Sequence, residues 1–72
     1  MSPGLSKLSR LINDMQGLED ELHKYERKFH LRSEDFYRLV TTGKLDQSPE
    51  FLMWLGMYET LVARKKEYRR LE

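Results

Sequence analysis

Only a few side chains in this sequence have types and spacings suited to chemistry. His23 and His30 stand seven residues apart, beside the acidic triplet Glu19-Asp20-Glu21. Imidazoles and carboxylates of this kind hold metal ions or move protons, so the pair is the first candidate for a site. Two helical turns, however, separate the histidines by about 10 Å, whereas a shared metal favours i, i+4 spacing. The triplet divides around a helix axis and reads as a solvated face. There is no cysteine, hence no disulfide and no thiolate metal site, which fits a reducing cytosol. No glycine-rich phosphate loop is present, and no serine sits in a nucleophile motif. The expectation is a chain with no catalytic residues, no cofactor and no metal.

What remains is binding, and two stretches invite it. The first is "PEFLMWLGMYETL", residues 49–61, in which no charged residue occurs from Phe51 to Tyr58. An amphipathic helix covers one core with an apolar arc of only about 100°. The apolar stripe of this helix is Phe51, Trp54 or Leu55, Tyr58, Leu61 or Val62, then Tyr68; Phe51, Leu55, Tyr58 and Val62 already supply that arc, leaving Leu52, Met53, Trp54 and Met57 off it. Either a neighbouring short helix folds over this second face, or Met53, Trp54 and Met57 stay open for another chain. Tryptophan is frequent among interface hot spots, and methionines suit adaptable surfaces. The size of the short helix favours the open arrangement, with Phe36, Tyr37, Phe51, Met53, Trp54, Met57 and Tyr58 as partner-binding residues.

The second stretch is basic. From Arg64 to the end there are five bases (Arg64, Lys65, Lys66, Arg69, Arg70) against two acids. Between Asp14 and Asp35 the balance is reversed, at seven acids to four bases. The basic run is a candidate for non-specific phosphate contact. The simpler expectation is that Lys65, Lys66 and Arg69 face the acidic flank of the first helix.

The elements that position these residues follow from periodicity. Leu8, Leu11, Met15, Leu18, Leu22, Tyr25 and Phe29 keep a 3-4-3-4 spacing, the seam of a packed helix pair. The seam predicts a helix over residues 5–29, started by Ser2-Pro3 or Ser6, with Gly17 on its solvent side. A parallel homodimer through this seam would set Asp14 against Glu19 and Glu21 against Glu26, so a simple zipper is disfavoured. "HLRSEDFYRLVTTGKL" predicts a short helix over 33–42, capped by Ser33 and stopped by Gly43 in a left-handed conformation. "SPEF" predicts a last helix over 49–70, with Ser48 as cap and Pro49 in the first turn. The fold class is therefore all-α. Two long antiparallel helices and a short connecting one form a single domain, 1–72, paired with a second copy.

At 72 residues the chain buries only about 60% of its unfolded surface, which makes a partner or an oligomer the expected source of missing stability. The longest apolar run falls far short of the roughly 20 residues of a membrane helix, and the first ten residues lack the apolar centre of a signal peptide. A cytoplasmic protein is expected. The terminal Leu71-Glu72 has the form of a tag remnant and carries no weight.

Across about two thirds of the chain the pattern resembles a known family. The elements are Glu26-Arg27-Lys28-Phe29, Ser33-Glu34-Asp35-Phe36-Tyr37, Gly43-Lys44-Leu45, and Glu50-Phe51 with Trp54, Tyr58 and Glu59. In this it is similar to the small helical antitoxins of type II toxin–antitoxin modules in bacteria and archaea. "HLRS" stands where a glycine-containing turn is more usual. The resemblance implies a protein that neutralises a toxic partner, often a ribonuclease, by binding it. From residue 50 onward the chain also resembles the phycobilisome-degradation adaptors, which implies a structural homodimer as the alternative. A nucleic-acid binder is the third reading.

Overall fold

The computed structural model describes residues 3–71, with side chains from Ser6 onward. It holds three helices: α1 (Pro3–Phe29), α2 (Ser33–Thr41) and α3 (Pro49–Leu71). No strand occurs among the described residues, so the all-α expectation is met. The long helices α1 and α3 pack antiparallel, and α2 leans against both at the end where the chain turns. The molecule is a rod of 46 × 21 × 17 Å. Ser2 and Glu72, invoked in the helix start and the tag remnant, lie outside the described residues.

Each boundary has a local cause. His30 takes a positive φ of 56°, and the Leu31 amide reaches back to the Glu26 carbonyl at 3.2 Å. That is the left-handed stop of a helix, here taken by histidine where glycine is the easier choice. Gly43 does the same after α2 with φ 76°: its amide bonds the Val40 carbonyl, and the Lys44 amide bonds the Leu39 carbonyl at 2.8 Å. The predicted glycine stop is thus present, and the helix ends at Thr41, one residue before the expected end. Ser48 caps α3 as predicted, its hydroxyl accepting the Phe51 amide at 3.1 Å. Gly17 points into open space, as its place outside the seam requires.

The core is formed by Leu22, Phe36, Val40, Trp54 and Leu61. Around it Met15, Leu18, Tyr25 and Phe29 of α1 pack as the seam predicted. The arc of α3 differs from expectation. It is centred on Trp54 and Leu61, two turns apart, rather than on Leu55 and Val62. The physical reason is α2. With α2 as well as α1 packed on α3, the largest apolar side chain is the one that all three helices enclose.

Candidate functional site

Trp54 and Phe36 are both 0% exposed, and Trp54 is the centre of an aromatic cluster. The Phe36 ring lies parallel to the indole at 3.7 Å between centroids, with Tyr25 and Phe29 near-parallel at 5.4 and 5.6 Å. Phe51 meets Phe29 and Phe36 edge to face, each at 5.2 Å. The expectation that Trp54 stays uncovered is therefore overturned: α2 closes over it, and neither it nor Phe36 offers a surface to another chain in this fold. Such ring pairs contribute about 0.5–1.5 kcal/mol each beyond burial alone.

A buried indole needs an acceptor for its N–H. Trp54 Nε1 donates to Ser33 Oγ at 2.9 Å. This corrects the reading of Ser33 as a cap. Ser33 is the buried first residue of α2, preceded by Arg32, which makes no side-chain cap bond. The capping acceptor comes instead from α1, where Glu26 Oε2 accepts the Ser33 amide at 2.9 Å. The other oxygen of Glu26 lies 2.8 Å from His23 Nδ1. Partial burial raises the Glu26 carboxyl, but the Ser33 hydroxyl, His23 and the Ser33 amide outweigh it and hold it below the ordinary glutamate range. A polar chain thus runs from the surface His23 through Glu26 and Ser33 to the buried indole. Its work is to seat α2. His30 is exposed, and no cluster of three metal-binding side chains occurs among the described residues.

Once the core is closed, apolar atoms remain on two sides of α3. A helix turns by roughly 100° per residue. From the Trp54–Leu61 line this sends Tyr58, Leu55, Val62 and Leu52 to one side, and Met57, Met53, Thr60 and Arg64 to the other. The Tyr58 side faces α2, since the Tyr37 and Tyr58 rings meet at 5.2 Å. Beside that contact Tyr37, Tyr58, Val62 and Ala63 line an open hollow of about 410 Å³, rimmed by Glu59 and Lys66. Leu52 continues this shelf and is 49% exposed. On the far side Met53 is 59% exposed and Met57 half-buried, so two of the three side chains expected to stay open do reach solvent.

The basic residues divide. Arg64 pairs with Asp14 at 3.9 Å, and a second interhelix pair joins Lys28 to Glu50 at 2.6 Å. Lys65, Lys66 and Arg69 were expected to pair with the acidic flank of α1 and make no ion pair among the described residues, although Lys65 and Arg69 share a hollow with Glu19. Together with Arg70 they form an exposed cationic stripe at the end of α3, of which Lys66 borders the shelf hollow while Lys65 and Arg69 border the hollow shared with Glu19. The shelf includes Tyr37 and Tyr58, which the sequence reading named, and Leu52 and Val62, which it placed elsewhere. Their 3-4 spacing with Leu55 and Lys66 was the available signal. No helix of the described residues is long and apolar enough to cross a membrane. No family model matches the chain, and neither a curated protein nor a solved structure does so.

Proposed function

We propose that this chain is a non-catalytic protein-binding module that acts as an antitoxin-like inhibitor, neutralising a ribonuclease-like partner by occupying it. The observation that carries the reading is the α2–α3 shelf. Tyr37, Tyr58 and Val62 leave apolar surface in a shallow hollow edged by Lys66, with Leu52 exposed further along α3 and the exposed cations Lys65, Arg69 and Arg70 toward its other end. Tyrosine and arginine are enriched at protein interfaces, and an apolar centre with a charged rim is their usual anatomy. The type of partner comes from the family resemblance. The shelf supplies the place.

The test is co-expression with a ribonuclease-like product encoded next to this chain. The expected outcome is restored growth and co-purification with the intact chain. Leu52→Asp combined with Lys66→Glu, both at exposed positions, should abolish the two while leaving the helical signal unchanged. A double variant that neutralises the partner as well as the parent would overturn the shelf. The cationic stripe favours one second reading, contact with nucleic-acid phosphates. That reading requires binding that weakens steeply with salt, with a logarithmic slope proportional to the phosphates contacted.

A further inference from the structure

We propose that the face of the α1–α3 hairpin turned away from α2 is the docking surface for a second copy of this chain. The inference is independent of the partner shelf, which lies on the opposite side of α3. Down the middle of this face run Leu18 of α1 and Met53 and Met57 of α3, with Met53 59% exposed. In α3 the residues Glu50, Met53, Met57, Thr60 and Arg64 keep a 3-4-3-4 spacing of their own, a second row in which Met53 and Thr60 are exposed and the other three half-buried. Beside it nothing lies within 4 Å of the position a Cβ on Gly56 would take, so a neighbouring backbone can approach.

The occupant is set by the charges at the two ends. At the α2 end Lys28 of α1 is paired with Glu50 of α3, and at the far end Asp14 of α1 is paired with Arg64 of α3. The signs are crossed: positive then negative at one end, negative then positive at the other. Two identical faces can be stacked by two kinds of two-fold axis. One lays each helix over its own reversed copy, which puts Lys28 over Asp14 and Glu50 over Arg64 of the second molecule. The other lays α1 over the copy's α3, which puts Lys28 over Glu50 and Asp14 over Arg64. Both arrangements bring opposite charges together. The central acid, Glu21, is already paired with Lys24 at 3.1 Å. The face is therefore complementary to itself, which an unrelated partner would have to match by separate design.

Sedimentation equilibrium of the full chain over a range of concentrations tests this. The expected result is a reversible dimer that salt weakens. Met53→Asp, at a site outside the core, should weaken it by about tenfold or more with an unchanged helical signal, because the carboxylate would be buried unpaired. Arg64→Glu should weaken it too, setting like charges together in either two-fold. Lys66→Glu, on the shelf, should leave the dimer as it is. A monomer at every concentration would overturn the proposal. So would a Met53→Asp dimer as tight as the parent's, or a dimer lost in Lys66→Glu.

Discussion

At the end of the hairpin where α1 gives way to α2, Trp54 is enclosed by side chains of three helices and is wholly buried. At the other end Leu11 is buried as well, but it stands apart from the core cluster, in a stretch where α1 has only α3 to pack on. The same two helices run through both ends, so the difference comes from the nine residues of α2. A third helix turns a two-layer contact into an enclosed core, with ring stacking on Trp54 and a buried hydrogen bond from it to Ser33. The closed end holds the fold. The open end is held mainly by the seam of α1.

The largest effect should come from removing the centre of the closed end. Trp54→Ala deletes the indole and leaves a cavity under α2, at a cost of about 3–5 kcal/mol. A domain of this size has roughly 4–11 kcal/mol in total. Leu11→Ala should cost about 2–3 kcal/mol, at the low end of the range because the thinner end can collapse around the gap. Urea titration of the two variants sharpens the contrast. Equal losses would show that α2 adds cover without adding stability.

The seam of α1, the Ser48 cap and the Gly43 stop were legible in the sequence because each depends on residues within one or two turns. The burial of Trp54 was not. In α3 the apolar residues from Phe51 to Tyr58 surround the helix for about two turns, so periodicity cannot choose among their faces. That choice depends on where α2 lands, which follows from the His30 reversal and from Glu26 reaching the Ser33 amide. A histidine in the left-handed region gives no sequence signal comparable to a glycine. The ion pairs failed for a related reason: turning the α3 arc from Leu55 to Trp54 moved Arg64 toward Asp14 and left Lys65 and Lys66 without an ion pair among the described residues. Of the candidate site, Tyr37 and Tyr58 were visible as aromatics. Their juxtaposition across two helices was not.

The contrast between the ends also predicts a local response to pH. Ser33→Ala leaves the buried Trp54 N–H without its acceptor and should cost about 1–3 kcal/mol. Glu26 works one step further out. Its folded carboxyl titrates below the unfolded range of about 4.3, so its contribution is fully present above that pH and is lost as the pH falls through the lower, folded value. Melting curves of the parent and of Glu26→Gln should therefore differ near neutrality and converge in acid once the pH falls below the lowered, folded value. A constant gap down to strong acid would show that the Glu26 charge does not seat α2.

The smallest effect belongs to the open end and has the opposite sign. Gly17 lies in mid-helix on α1, exposed, with nothing near the place a methyl group would occupy. Alanine there removes unfolded-state freedom without a clash, so Gly17→Ala should stabilise by about 0.5–1 kcal/mol. At Gly43 the same exchange meets a φ of 76° and should destabilise, although that site is equally open. Space is the same at the two positions and backbone conformation is not, so the pair separates the two causes. If Gly17→Ala gained nothing while Gly43→Ala lost stability, the far half of α1 would already be frayed in the native state. A fraying helix end gains little from a better helix former, and the seam would then be doing less to hold the open end than its regular spacing implies.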